Sequence, residues 1–160
     1  ARSVQAIMDA RGGELTPAEL LALFREQYLD VDEPLALLSY VHEAAAAGTD
    51  TLRAHVRLEG AERELEGGGN GPIAALVHAL GEQLGVAVSV RDFHEHAMSS
   101  GEDATAAAYV EADVDEEVVW GVGVHPSIVT ASLKAVVNAV DRALAAKARG
   151  AAALEAFEAV

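Results

Sequence analysis

Two short turns in this sequence combine glycine and proline ahead of a helical pattern, and such turns can bind a carboxylate or a phosphate. The first is Gly69-Asn70-Gly71-Pro72, and the second is Gly123-Val124-His125-Pro126. Glycine permits positive φ, and proline sets the helical φ at a position where its missing N–H costs nothing. The free N–H groups of the first helical turn and the positive end of the helix dipole then favour an anion. Strand-to-helix turns also use these residues for structural reasons, so the motif alone does not decide the function.

Other residue groups offer weaker chemistry. His94 and His96 lie on one face of a predicted strand and could bind zinc, but no third ligand is apparent, so we expect no metal in this chain. Ser99, His96 and Asp92 could form a hydrolase triad on paper, yet the Gly-x-Ser-x-Gly elbow is missing. The glycine run Gly67-Gly68-Gly69 lacks the preceding parallel strand of a dinucleotide site. We therefore expect no catalytic residue here.

The two turns belong to a longer internal repeat. At the offset that relates Pro72 to Pro126, without a gap, the matched pairs are Thr51/Thr105, Val56/Val110, Glu62/Glu116 and Gly67/Gly121. A repeated unit of strands plus one helix predicts two similar halves. Two copies are too few for a solenoid, so we predict a closed, pseudo-symmetric domain. Its halves are expected to enclose a shared sheet and a seam, where a small ligand or a second subunit can sit.

Alternating and helical spacing of apolar residues predict the element order βββα-βββα. The predicted strands cover residues 35–45, 51–59, 62–66, 86–97, 104–113 and 118–124, and the predicted helices cover 72–84 and 126–146. The helices carry apolar stripes that can cover the apolar faces of the strands, so the predicted fold class is α+β, with two layers. Residues 1–30 are predicted to be helical, with a capping box at 16–19. The Ala-rich residues 147–160 either extend the last helix or fray.

Composition excludes several classes of function. The net charge of −15 argues against nucleic acid as a partner, because the chain repels phosphate backbones. The absence of Cys excludes disulfides and thiolate catalysis. No apolar run approaches the ~20 residues that span a bilayer, and no signal peptide is visible, so we expect no membrane partner and a cytoplasmic location. The first residue, Ala1, indicates a piece of a longer protein.

Several short motifs follow one another in a specific order along the chain. They are Gly69-Asn70-Gly71-Pro72-Ile73-Ala74-Ala75, Asp92-Phe93-His94-Glu95-His96-Ala97, Gly101-Glu102-Asp103-Ala104, Tyr109-Val110-Glu111, Trp120-Gly121-Val122-Gly123 and Ala131-Ser132. This order resembles the C-terminal regulatory region of 2-isopropylmalate synthase, especially the actinobacterial form. The resemblance runs from about Gly13 to Arg142, which is most of the chain.

The resemblance implies an acyltransferase of leucine biosynthesis that condenses acetyl-CoA with 2-oxoisovalerate. Its catalytic TIM barrel, with a divalent metal, would be the intramolecular partner of this chain. The chain itself would then hold no cofactor and have no enzyme activity. Residues 1–33 would be a helical linker, residues 34–146 a regulatory domain that forms a homodimer and binds leucine as feedback inhibitor, and residues 147–160 a tail.

The resemblance also implies the positions of a leucine site at the dimer interface. By match to the family motifs they are Asn70, Gly71, Ile73, Ala74, Val90, Phe93, Ala97, Ala104 and Ile128. The ligand carboxylate would meet helix N–H groups, and its isobutyl group would meet the apolar wall. Phe93 departs from the family pattern, because related actinobacterial sequences have Tyr at this position, which puts a hydrogen bond through that hydroxyl in doubt.

Two other functions remain open from the sequence. A similar domain in citramalate synthase senses isoleucine, and pocket shape cannot be read from sequence. The chain could also be a dimerisation module that binds no ligand. A free-standing enzyme is disfavoured because no catalytic constellation is apparent.

Overall fold

A computed structural model of the chain describes residues 19, 34–98 and 104–158. The described elements follow the order βββα-βββα, which confirms the predicted α+β fold class. They are β1 Leu35–Glu43, β2 Asp50–Leu58, β3 Ala61–Gly69, α1 Pro72–Leu84, β4 Val88–Ala97, β5 Ala106–Val114, β6 Glu117–His125 and α2 Ile128–Glu158. The helices predicted within residues 1–30 lie outside the described residues, apart from Glu19, which is helical.

The strands form because apolar residues alternate with polar ones. In β2, Leu52, Ala54 and Val56 are buried, while Arg53 and His55 between them are exposed, as expected for a strand with one face on the core. The β2–β3 hairpin closes through residues 59–60, and the β5–β6 hairpin closes through residues 115–116. Both loop residues of each hairpin have positive φ, as tight two-residue turns require, and the second hairpin achieves this without a glycine.

The six strands form two separate antiparallel sheets, in the orders β1-β2-β3 and β4-β5-β6. The expectation of one shared sheet is therefore wrong. The physical reason lies at the edges that could have joined. The N–H of Leu35 in β1 donates to Asp141 Oδ1 of α2 at 2.9 Å, and the N–H of Val122 in β6 donates to Asn138 Oδ1 at 3.0 Å. Side chains of α2 thus satisfy edge groups that would otherwise pair with another strand.

The structural repeat in the hairpins and helices has an offset two residues longer than the one read from the sequence, so the predicted offset is wrong. Leu58 pairs with Ala61, and the equivalent Val114 pairs with Glu117. Helices α1 and α2, which begin at Pro72 and Ile128, follow the same longer offset. β1 and β4 are instead matched by their bulges, which fall at residues 38 and 91. Strand side chains alternate with period two, so a shift of two leaves every residue on its face.

The second helix differs from its prediction at both ends. It begins at Ile128 rather than at Pro126, and Ser127 Oγ accepts the N–H of Thr130 at 3.4 Å at its start. It then continues without a break to Glu158, so the Ala-rich segment extends the helix. The buried face of α2 packs on β5 and β6 and also contacts β1 and α1. One continuous core, with buried residues from both halves, results.

Candidate functional site

The N-terminus of α1 is open in the way that the first glycine turn predicted. Gly71 precedes the helix with φ 109° and ψ 172°, Pro72 is the first helical residue, and no side chain caps the helix. The carbonyl of Gly71 accepts the N–H of Ala75 at 3.1 Å. The N–H groups of Ile73 and Ala74 therefore belong to the uncapped first turn, and the positive end of the helix dipole adds to them. This end of α1 can receive a carboxylate.

The two halves of the domain meet at a seam where α1 of the first half contacts β4 of the second. Ile73 on α1 and Val90 and Phe93 on β4 are all half-buried and pack against the common core. We call this contact the α1–β4 seam. The two elements of this seam, α1 and β4, carry predicted site residues from both halves of the chain.

The pseudo-symmetric counterpart is the contact between α2 and β1, which we call the α2–β1 seam. There the hydroxyl groups of Tyr40 and Thr130 form a hydrogen bond of 2.6 Å. Counting from the two bulges makes Phe93 the equivalent of Tyr40, and counting from the two helix starts makes Ala74 the equivalent of Thr130. Both replacements remove a hydroxyl group and side-chain volume. The α1–β4 seam consequently lacks the bond that closes its counterpart and holds fewer atoms beside the α1 N-terminus.

Of the other predicted residues, Asn70 is exposed in the turn between β3 and α1, and the remaining three lie at one end of the second sheet. Ala97, the last residue of β4, pairs with Ala106, which pairs in turn with His125 at the end of β6. Ala104 precedes β5, and Ile128 begins α2 with 36% of its surface exposed. Along β4, Val90 and Ala97 are seven residues apart, which corresponds to about 23 Å. Within one chain the nine predicted positions are therefore too spread out for one leucine to touch them all.

The histidines of β4 take ordinary structural roles. His94 Nε2 lies 2.9 Å from Asp92 Oδ2, and the ring of His96 packs on Tyr109 with centroids 5.7 Å apart. The backbone N–H of Phe93, followed by His94, lowers the pKa of Asp92, whereas burial raises the pKa of Tyr109 to about 12. Among residues 34–98 and 104–158, no group of three His, Asp or Glu residues could hold a metal ion. Ser99, which the sequence analysis considered as part of a hydrolase triad, lies outside the described residues.

The second turn is capped from within. The Nδ1 atom of His125 accepts the N–H of Ser127 at 2.9 Å, so this ring is a hydrogen-bonding partner of the turn. Because Nδ1 accepts, the neutral ring carries its proton on Nε2. The N-terminus of α2 thus has capping partners that α1 lacks. This difference singles out the first turn as the one open to a ligand.

A cavity of about 240 Å³ that the sequence did not predict lies in the α2–β1 seam, between β1, β6 and α2. Its polar lining residues are Lys134 and Asn138, and none of the nine predicted positions lines it. Lys134 is exposed, and a single lysine on an amphipathic helix carries no sequence signal of a cavity. No described helix is long and apolar enough to cross a membrane.

Comparison with known proteins identifies the family of this chain. The model of the LeuA allosteric (dimerisation) domain matches residues 14–144. The chain is 48% identical over 145 residues to a 2-isopropylmalate synthase of Mycobacterium leprae, covering 89% of this chain and 24% of that protein. It is 50% identical over 147 residues to that of Mycobacterium ulcerans, covering 89% and 26%. The chain thus spans about a quarter of the length of these curated relatives, and it belongs to the LeuA allosteric (dimerisation) domain family.

Proposed function

We propose that this chain is the allosteric domain of a 2-isopropylmalate synthase and that it binds leucine at the α1–β4 seam. Bound leucine would inhibit the catalytic part of the whole enzyme, which condenses acetyl-CoA with 2-oxoisovalerate. The observation that carries this proposal is the uncapped N-terminus of α1 beside a seam that lacks the hydroxyl pair of its counterpart. The match to the LeuA allosteric (dimerisation) domain and to 2-isopropylmalate synthases supports the assignment to the allosteric part of such an enzyme.

Leucine matches the chemistry of this seam. Its carboxylate can accept the N–H groups of Ile73 and Ala74, and its isobutyl group can pack on Val90 and Phe93. Burying a side chain of this size is worth about 1.5–3 kcal/mol, and each hydrogen bond to a charged group adds about 1.5–3 kcal/mol. The costs of ordering and desolvation reduce this total. The polar contacts are therefore expected to decide whether binding is useful at cellular concentrations.

The spread of the predicted positions supports a homodimer. Val90 and Ala97 cannot reach one ligand from the same strand, so a shared site needs a second copy to supply Ala97, Ala104 or Ile128. Apolar side chains are available for such a contact, since Val41 is 63% and Ile128 36% exposed. We expect light scattering at high micromolar concentration to give the mass of a dimer. A stable monomer under these conditions would contradict the dimer and leave the ligand site incomplete.

Inhibition requires more than binding. Leucine can shift the enzyme only if it binds a less active state more tightly than an active one. The seam joins the two halves of the domain, so a ligand that changes its width would change the relative position of the halves. We infer that this movement is what reaches the catalytic barrel. The chain alone is expected to release no CoA from acetyl-CoA and 2-oxoisovalerate above a blank without protein.

Titration calorimetry of the chain with leucine, isoleucine and valine tests the ligand. Heat with leucine that exceeds the heat with isoleucine is the expected result. Stronger binding of isoleucine would replace the proposal with the isoleucine-sensing domain of a citramalate synthase. The absence of heat with all three, in a sample shown to be dimeric, would leave a dimerisation module that binds no ligand.

A further inference from the structure

Two hydrogen bonds join β1 to α2 along the α2–β1 seam, which contains the cavity. At one end Tyr40 bonds to Thr130, and at the other the N–H of Leu35 bonds to Asp141. Thr130 and Asp141 are eleven residues apart on α2, which corresponds to about 16 Å. Lys134 lies on the helix between them, at the cavity. Strand and helix are therefore joined at two separate points of the seam, which fixes their relative position around the cavity.

The wall of the cavity is mostly aliphatic. It is formed by residues 35–37 of β1, residues 122–124 of β6 and Val137 of α2. Gly123 allows the close approach of strand and helix, because an added Cβ there would lie 2.7 Å from the backbone N of Ala135. An aliphatic cavity of ~150 Å³ can hold benzene. A volume of about 240 Å³ thus accommodates a short branched hydrocarbon chain together with a polar head.

Two hydrogen-bond donors face this apolar space. Asn138 is 6% exposed, and its Oδ1 already accepts the N–H of Val122. This bond uses the carbonyl oxygen of the amide, so Nδ2 is the end of the side chain that can donate to a ligand. Lys134 is exposed at the rim, and no ion pair of its ammonium group is found in the described part of the chain. A buried amide donor and a cation beside it match an anionic oxygen ligand.

The acidic side chain nearest to Lys134 along α2 does not neutralise these donors. Asp141 lies seven residues beyond Lys134, about 10 Å along the axis, and its Oδ1 is directed to the N–H of Leu35. The protein as a whole is strongly acidic, with a net charge of −15. A ligand anion therefore depends on Lys134 for its attraction to this site.

We propose that the cavity of the α2–β1 seam is a second small-molecule site, which binds a carboxylate with a short branched aliphatic tail. Lys134 and Asn138 hold the carboxylate, and the aliphatic wall holds the tail. The site is the pseudo-symmetric relative of the α1–β4 seam but uses side chains where that seam uses a helix N-terminus. It does not depend on whether leucine binds at the α1–β4 seam. A branched amino acid and the corresponding 2-oxo acid share the required chemistry.

Nuclear magnetic resonance of the whole chain can test the site with three probes. They are leucine, 4-methyl-2-oxopentanoate and 3-methylbutan-1-ol, which has a similar tail without a carboxylate. We expect a carboxylate probe at millimolar concentration to shift the backbone amide of Val122 and the side-chain amide of Asn138. The probe with the larger effect identifies the amino acid or the 2-oxo acid as ligand. No shift at either amide with any probe would overturn the proposal.

Substitutions separate the site from its surroundings. Lys134→Met keeps the stem and should weaken carboxylate binding about fivefold or more without changing the affinity for the alcohol. Arg149→Met removes one cation from an exposed position of the same helix and should change neither affinity. Gly71→Asp, at the other seam, should leave the shifts of Val122 unchanged. Equal carboxylate affinity in Lys134→Met and the parent would refute the proposed role of Lys134 and with it the site.

Discussion

Gly71 is the position where one substitution should separate ligand binding from folding. Its φ of 109° and ψ of 172° lie in a region that is essentially restricted to glycine. An added Cβ would meet no heavy atom within 4 Å, so the cost of Gly71→Asp is backbone strain rather than a clash. Such strain costs about 1–3 kcal/mol. A domain with a typical stability of about 5–15 kcal/mol remains folded after this loss.

The effect of Gly71→Asp on binding is expected to be larger than its effect on stability. The new carboxylate can accept the N–H groups of Ile73 and Ala74 as an N-cap residue does. It would thereby occupy the donors proposed for leucine and repel the carboxylate of the ligand. Losing two hydrogen bonds to a charged group removes at least about 3 kcal/mol, which corresponds to a Kd that is at least about 100-fold weaker.

Calorimetric titration of Gly71→Asp with leucine measures this loss, and urea unfolding followed by circular dichroism measures stability. Gly71→Ala is the matched control, because it carries the same backbone strain without the charge. We expect Gly71→Ala to lose at least as much stability, because it lacks the capping carboxylate, and to retain measurable leucine binding. In the whole enzyme, Gly71→Asp should free activity from inhibition by leucine. A folded Gly71→Asp variant that binds leucine as tightly as the parent would refute the reasoning.

Two further predictions concern the packing of the second half. Gly123→Ala places a Cβ against the carbonyl of Ala131 and 2.7 Å from the backbone N of Ala135, so α2 must move. We expect the free energy of unfolding, measured with urea, to fall by about 1–3 kcal/mol or more. An unchanged midpoint of unfolding would contradict this packing. The ammonium group of Lys147 lowers the pKa of Asp115 in the folded protein. The ion pair therefore stabilises the fold above the pKa of about 3.9 that Asp has in the unfolded chain, and this stabilisation is lost as the pH falls through the pKa of folded Asp115. Asp115→Asn should therefore be less stable than the parent at pH 7, with a difference that shrinks on acidification. A difference that grows toward low pH in thermal melts would exclude this ion pair as its cause.

The sequence was sufficient for the local structure and the family. Period-two alternation in β2 and the apolar stripe of residues 72–84 determine strand and helix, because these patterns depend on the geometry of one element alone. The bounds of α1 agree with the prediction at both ends, where Pro72 opens the helix and Gly85 ends it in the left-handed conformation. The order of the motifs was enough to indicate the family that the comparison then established.

The register of the repeat could not be read from the sequence. The offset read from the motifs and the longer one in the structure differ by two residues and place the same residue types on the same faces, so the alternating pattern fits both. The pairing of Leu58 with Ala61 and of Val114 with Glu117, together with the starts of the two helices, distinguishes them. The helix starts and the two strand bulges show which residues are equivalent in the two seams, and the difference between the seams becomes visible only through that comparison.

The seams themselves were decided by tertiary structure. Tyr40 and Thr130 are 90 residues apart in the chain, and Leu35 and Asp141 are 106 apart. No local pattern links such pairs, because they depend on how two separately formed halves pack on each other. The sequence by itself determined two βββα units and a glycine turn fit for a carboxylate. The packing of α2 against β1 determined that the sheets stay separate, that one seam is closed by hydroxyl groups, and that a cavity remains beside Lys134.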